Sequence, residues 1–288
     1  MILIDYSQVA ISNIAVQLAM SKDKNILSIP MVRHMILNSI RGYVHRFRND
    51  YPGEVVICVD GPDPWRRDIF EQYKAKRREG RNNDDKDWES VFGLIHTIKE
   101  EIRDNFPYKV VQLDKVEADD IIAIICKKNH DQKILIISGD KDFQQLQKYP
   151  NVFQYSPTQK KFVETDSPQE YIYEHILRGD TSDGIPNFLS PDDTFVNKIK
   201  QKPVSKKKLA GWIDSLMRGN DPQDFCNEYH YRNFQRNQRL IDFDYIPDDI
   251  ETDIYKEYKK VAVSNRSKIL PYMIKNDLKE LIGKIEEF

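Results

Sequence analysis

Cysteine is scarce. Cys58, Cys126 and Cys226 are the only three in 288 residues, too few and too far apart for a disulfide framework or a zinc site, and their surroundings suit buried thiols in a reducing cytosol. Long apolar runs are missing too. Stretches such as Ile121 to Cys126 fall well short of the roughly 20 residues that span a bilayer. The opening Met-Ile-Leu-Ile-Asp has no basic segment of the kind that starts an export signal, so the reading is a cytoplasmic protein with no membrane partner. Neither sign of charge is in excess: 44 Lys and Arg against 46 Asp and Glu leave a formal net charge of -2, so overall charge does not argue for nucleic acid. The six histidines are scattered without metal-ligand spacing and read as structural or surface residues.

What remains is a globular composition, 40% hydrophobic and 31% charged, with a mean hydropathy of -0.65. The length is about two domains' worth by the soft prior of roughly 150 residues each. The charges are segregated. Cations crowd into Arg66 to Lys86, Lys198 to Lys208 and Arg232 to Arg239, while many acids fall singly at the ends of apolar runs. An anionic pocket beside cationic surfaces is implied.

Short β-rich runs alternate with helical stretches through the first half: Ile2 to Ile4, Val55 to Val59, Val110 to Leu113 and Ile134 to Ile137. That alternation predicts buried parallel strands joined by helical crossovers, a doubly wound α/β sheet. Met31, Met35, Ile36, Ile40, Tyr43, Val44 and Phe47 recur at helical spacing behind the start signal Ser28-Ile29-Pro30. Phe153 to Tyr155 and Lys161 to Val163 predict a hairpin that closes the sheet edge. After Thr165 the pattern is helical, with helices expected near 169–177, 206–217, 221–240 and 275–285. The polar stretch Asn82 to Asp87 is expected to be mobile unless a ligand orders it.

Placed on this scaffold, the acids converge. Asp5 follows the first strand, Asp60 the second, and Asp140 and Asp142 the fourth. In an open parallel sheet the carboxyl ends of the strands share one crevice. Glu117, Asp119 and Asp120 open a helix predicted over 116–127 at the same edge, and Asp180 and Asp183 arrive from the second half. Taken singly, each is as well explained as a turn residue or a partner of a helix dipole. Together they are costly, because two carboxylates about 5 Å apart repel by about 3 kcal/mol at an effective dielectric near 20. Divalent cations remove the conflict. An all-oxygen donor set favours Mg²⁺, with Mn²⁺ as a substitute, and two such ions can activate water and stabilise a leaving oxygen at a phosphodiester.

The motifs Glu117-Ala118-Asp119-Asp120, Ser138-Gly139-Asp140-Lys141-Asp142 and Gly179-Asp180-Thr181-Ser182-Asp183-Gly184-Ile185-Pro186 resemble those of the structure-specific 5′ nucleases, the family of flap endonucleases and of the 5′-nuclease domains of bacterial DNA polymerases. Within that family the resemblance is to the ribonuclease H branch of T-even phages, on Ser28 to Ile40, Trp65 to Asp68 and Leu240 to Pro247, and it extends over essentially the whole chain. It implies a PIN-like nuclease domain over 1–165, with a basic arch at about 62–90, and a helical DNA-binding domain over 166–288 that contains a helix-three-turn-helix element. The activity implied is 5′→3′ exonuclease and flap cleavage, removing RNA primers and adjoining DNA from lagging-strand fragments. The first metal site falls to Asp5, Asp60, Asp119 or Asp120, and Asp140, with Glu117 close by through water; the second falls to Asp142 and Asp183, with Asp180 beside them.

Arg66, Tyr73, Lys74 and Arg77 share one face if residues 65–78 form a single helix, letting cations meet a phosphate while the aromatic stacks on a base. A solvated amphipathic helix with internal ion pairs is the plain alternative. The resemblance gives Lys74 and Arg77 the transferring phosphate, Tyr73 the scissile nucleotide, and Arg67 and Arg78 further contacts in the arch. Gly184 stands where the family usually has Asn, and the Gly-rich hairpin of cellular members is replaced by glycine-free Asn187 to Lys202. Lys198, Lys200, Lys202, Lys206, Lys207 and Lys208 are then the expected phosphate contacts. Arg232, Arg236 and Arg239 form a stripe that fits either phosphate or the acids of Asp242 to Asp253.

Two other readings stay open. A non-catalytic binding protein on this fold has no reason to concentrate negative charge beside phosphate, and a PIN-type ribonuclease lacks the helical second half. The implied partners are branched, nicked or RNA-primed duplexes bound by a monomer, a single-strand-binding protein and, with less support, a sliding clamp.

Overall fold

The computed structural model describes residues 1–20, 26–82 and 86–288. Its centre is a six-stranded sheet: β1 (Ile2–Asp5), β2 (Val55–Cys58), β3 (Lys109–Val111), β4 (Ile134–Ile137), β5 (Val152–Ser156) and β6 (Lys161–Val163), in the order β3-β2-β1-β4-β5-β6. All neighbours are parallel except β5 and β6, which pair antiparallel as the closing hairpin. β1, β2 and β4 are buried along their whole length, which is why they read as continuous apolar runs rather than alternating ones. The strand order reverses between β1 and β4, the position where open sheets form a ligand crevice.

One face of the sheet is covered by α1 (Tyr6–Met20), α2 (Ile29–Phe47) and, beyond two short helices α3 (Arg66–Ile69) and α4 (Ala75–Asn82), by α5 (Trp88–Asn105). Helix α2 begins after Ser28 with proline in its first turn, and Asp87 caps α5 by accepting from the Ser90 amide. The other face is covered by α6 (Ala118–Lys128).

The second half contributes α7 (Pro168–Arg178), α8 (Lys206–Met217) and α9 (Glu228–Ile241), which share a third core with Phe70 and Tyr73. The remaining chain returns to the sheet. Phe243 and α10 (Asp248–Lys260) pack on α6, whereas α11 (Ile269–Lys275), α12 (Lys279–Ile282) and Phe288 fill the α2/α5 side.

Several local expectations are corrected. Residues 65–78 are not one helix: α3 stops at Ile69, and the backbone turns through Phe70 to Lys74, where φ is +55°. The helix expected over 221–240 is split by Cys226 and Asn227 into a short 3-10 turn and α9, capped by the Asn227 side chain. The last expected helix is divided between α11, α12 and a final 3-10 turn. Of the stretch expected to be mobile, 83–85 lies outside the described residues. Cys226 is half-buried, while Cys58 and Cys126 are buried.

Candidate active site

The carboxyl ends of β1, β2 and β4 open onto a cleft of about 340 Å³ lined by Asp5, Asp60, Asp119, Asp140, Asp142, Asp180 and Asp183. Lys74, Arg77 and Ser182 complete one wall, and Ser7, Gln8, Ile11, Ser12 and Ala15 of α1 form the other.

Four of the acids are held by nearby backbone amides, two of them also by a serine hydroxyl. Asp5 accepts from the Gln8 amide at 3.1 Å and from Ser138 Oγ at 3.0 Å. Asp60 accepts from the Ala118 amide at 2.9 Å and from Ser7 Oγ at 2.5 Å. The next residue, Gly61, approaches so closely that a Cβ there would lie 1.8 Å from the Leu113 carbonyl oxygen, so only glycine lets β2 deliver Asp60 to the N-terminus of α6. Asp140 caps the turn that follows β4 by accepting from the Asp142 amide at 3.0 Å. Asp180 does the same for the next loop, taking the Ser182 and Asp183 amides at 2.6 and 3.1 Å.

The electrostatics are those of a site built for cations. Burial, with Asp60 as neighbour, raises Asp5 to about 7. Burial also raises Asp142 to about 7, where His175 opposes the shift and Asp140 adds to it. Asp119 is driven well above the usual carboxylate range by burial, Asp140 and Asp5. Asp183 is raised by burial against the pull of Lys74 and Arg77. Burial also works to raise Asp180, but the His175 and Ser182 hydrogen bonds outweigh it and hold that carboxyl low.

Glu117 and Asp120, expected among the metal acids, do not line the cleft. Asp120 is fully buried, bridged by both terminal nitrogens of Arg66 at 3.0 and 2.7 Å and by Trp65 Nε1 at 3.0 Å. Glu117 is buried beneath Lys74, which donates to it at 2.5 Å, and it also receives Arg66 and the Tyr73 hydroxyl at 2.9 Å each. Burial pushes Glu117 up, yet Lys74 and Arg66 prevail and keep it ionised.

Arg66 and Tyr73, expected to face nucleic acid, are turned inward in this structure. Both are buried, and Arg66 also donates to the Leu240 carbonyl at 2.8 Å, which ties the arch root to α9. Lys74 and Arg77 do reach the cleft, and Arg77 meets Asp183 at 2.7 Å. Arg67 is occupied by Asp63 at 2.6 Å, and Arg78 by the Tyr73 carbonyl at 3.1 Å.

The turn at 70–74 is locked to the second half by main chain. The Lys74 amide donates to the Asp183 carbonyl at 2.7 Å, and the neighbouring Gly184, at φ +77°, would place a Cβ 3.1 Å from the Gln72 carbonyl oxygen. The residue noted in the sequence as a departure is thus the one that permits this approach.

Lys206, Lys207 and Lys208 are exposed on the first turn of α8, and Lys198, Lys200 and Lys202 are exposed in the preceding loop; none of the six lines the cleft. Arg232 and Arg236 do not pair with the acids of 242–253: both bind Asp192, anchoring the glycine-free loop to α9. Glu251 instead takes Lys127 and Lys128 of α6, each at 2.6 Å.

Sequence reasoning missed two contributors. Helix α1 was invisible because its apolar residues lie all around its circumference. His175, assigned to the surface or core, stands between Asp142 and Asp180 at 3.3 and 3.2 Å. Its spacing of five residues from Asp180 across a helix end was the available signal.

Comparison with known proteins agrees with this architecture. Residues 2–175 match the family model of the 5′-3′ exonuclease N-terminal resolvase-like domain, and residues 166–288 match that of the T4 RNase H C-terminal domain. Ribonuclease H of Enterobacteria phage T4 is 37% identical over 295 aligned residues, covering 99% of this chain and 95% of that protein. DNA polymerase I of Bacillus subtilis is 24% identical over 197 residues, 62% of this chain and 22% of the polymerase. Among solved structures, the T5 D15 protein co-crystallised with metal ions superposes with a TM-score of 0.62 at 16% identity, covering 90% of this chain and 98% of that one. The bacteriophage T5 D15 flap endonuclease in a complex with DNA and metal ions gives 0.60 at 16% identity, covering 90% and 99%.

Proposed function

Because this chain belongs to the 5′-3′ exonuclease family, we propose that it is a 5′→3′ exonuclease and flap endonuclease with ribonuclease H activity, which removes RNA primers and adjoining DNA from lagging-strand fragments. The observation that carries the reading is the single cleft in which seven aspartates from remote parts of the chain meet Lys74 and Arg77.

The residues fit a pair of Mg²⁺ ions. The donors lining the cleft are dominated by carboxylate oxygens, and Asp5, Asp119 and Asp142 are raised first by burial and then by neighbouring acids, both of which a bound cation would offset. We assign Asp5, Asp60, Asp119 and Asp140 to one ion and Asp142, Asp180 and Asp183 to the other, with Mn²⁺ able to substitute. When bound, the ions supply an activated water and stabilisation of the leaving oxygen.

The chain's own groups do the rest. Lys74 is held between Glu117 and Asp183, and although burial opposes its charge, those two acids raise it so that it stays protonated throughout the physiological range. From there it can shift its hydrogen bonds to a phosphate oxygen as charge builds in the transition state. Arg77, half-exposed at the cleft mouth, positions the same phosphate. Tyr73 acts from behind as a strut through Glu117 and Asp183. The exposed lysines of 198–208 supply sequence-independent phosphate contacts to the duplex.

No described helix is long and apolar enough to cross a membrane. We place the protein in the host cytoplasm, acting as a monomer on branched, nicked or RNA-primed duplex, alongside a single-strand-binding protein and a sliding clamp. The test is a Mg²⁺ titration with 5′-labelled flap, nicked-duplex and RNA-primed substrates beside an Asp140→Asn control. Short 5′ products that require metal and Asp140 are expected. Metal-independent cleavage, or equal activity in the control, would overturn the assignment.

A further inference from the structure

His175 lies in the last turn of α7, behind the cleft wall, where it touches two of the lining carboxylates, Asp142 and Asp180. Its side chain is 14% exposed, and its ring is held on edge against Tyr171, with centroids 5.7 Å apart. Nε2 lies 3.2 Å from Asp180 Oδ2; a carboxylate only accepts, so Nε2 carries the proton and donates it there. The two carboxylates outweigh burial and favour the protonated ring, so an ion binding at Nδ1 displaces that proton and takes the lone pair left there. Nδ1 is buried without a hydrogen-bond partner, although Asp142 Oδ1 is 3.3 Å away. Ligand atoms from Asp142, His175 and Asp180 all fall within 4.8 Å of one another.

This is the arrangement in which a carboxylate orients an imidazole so that its other nitrogen can bind metal. Adjacent ligands on an octahedral ion with bonds of about 2.1 Å are about 3 Å apart, close to the separation of His175 Nδ1 and Asp142 Oδ1. We propose that His175 is a direct ligand of the second ion, through Nδ1, with Asp142 beside it and Asp180 fixing the ring from behind. Imidazole raises affinity for Mn²⁺, Co²⁺ and Zn²⁺ relative to Mg²⁺, so His175 biases this site towards borderline ions in a cleft whose remaining acids favour hard ones. The inference rests on the nuclease reading only for the numbering of the ions; the metal site stands on the residues themselves.

The experiment is electron spin-echo spectroscopy of the full chain loaded with Mn²⁺, together with calorimetric Mn²⁺ and Mg²⁺ binding, for the wild type and His175→Gln. Nitrogen modulation of the manganese echo is expected in the wild type and absent in the variant. Mn²⁺ affinity for the second site should fall by about tenfold, with a change of less than about threefold for Mg²⁺. A wild-type echo without nitrogen modulation, modulation that persists in His175→Gln, or equal losses for both ions would each overturn the proposal. Asp142→Asn serves as a second variant: it keeps the histidine but removes its co-ligand, and it should also weaken the modulation. Cleavage of a flap substrate is scored separately, so an inactive protein that shows the nitrogen signal would sink the nuclease reading and leave the ligand intact.

Discussion

Lys74 reaches Glu117 at 2.5 Å from a backbone in the left-handed region, where non-glycine residues are uncommon. The Lys74 amide is meanwhile bound to Asp183. The side chain is therefore aimed by the main chain before any substrate arrives, and its hydrogen bonds can be exchanged for those of a phosphate without a search.

Lys74→Ala should accordingly lower the single-turnover cleavage rate by about 10²- to 10³-fold, the usual cost of losing one preorganised donor to developing charge. Substrate affinity measured without turnover should change far less. If the dissociation constant absorbs the whole loss, Lys74 is a binding residue and nothing more.

Arg66 gives the opposite expectation. Its guanidinium is buried against Glu117 and Asp120, so Arg66→Ala leaves the fully buried Asp120 without a cation and Glu117 with Lys74 alone, and should destabilise the fold by about 3–5 kcal/mol. Urea denaturation measures this directly. A variant with wild-type stability and weaker DNA binding would return Arg66 to the nucleic-acid interface.

The cleft acids predict how metal and pH act together. Asp5 and Asp142 titrate near 7 in the folded chain against about 4 when unfolded, so the folded state holds more protons between those limits. Without metal, their contribution to stability is greatest in acid and is lost as pH rises from about 4 through about 7. Mg²⁺ competes with those protons, so its stabilising shift in melting temperature should grow between about pH 5.5 and pH 8. A shift independent of pH would mean that these acids are not the ligands.

Replacing Lys206, Lys207 and Lys208 together by alanine should leave cleavage chemistry intact and flatten the dependence of duplex affinity on salt, by about one unit of log-log slope per lost contact. Titrations at several salt concentrations decide it: parallel lines for variant and wild type would remove the three residues from the interface.

The sheet and its acidic edge were legible because both follow from local chemistry. Apolar runs that are buried on both faces read the same in sequence and structure, and an aspartate after such a run has only the crevice to enter. The arch was less legible. Helical spacing placed Arg66, Tyr73 and Lys74 on one face, but the turn at Phe70 to Lys74 answers to contacts with Asp183 and Gly184, more than a hundred positions away. Burial sorted Asp119 from Asp120, adjacent acids that no pattern separates: one faces the cleft, the other faces Arg66. The return of α10 to α12 onto the sheet depended on tertiary packing that spacing does not encode, and His175 was hidden because its partners lie in other elements.

The Lys74 amide and the close approach of Gly184 to Gln72 join the two halves through main chain, beside the side-chain ties of Arg66 and Arg77, which sets a rule for recombination. A hybrid that takes residues after 166 from another relative should keep its arch in register only if the donor offers a residue at 184 that tolerates the left-handed backbone and leaves Gln72 room. Alanine at 184 would be strained by the left-handed backbone and would press its Cβ on the Gln72 carbonyl, which would have to give by a few tenths of an ångström.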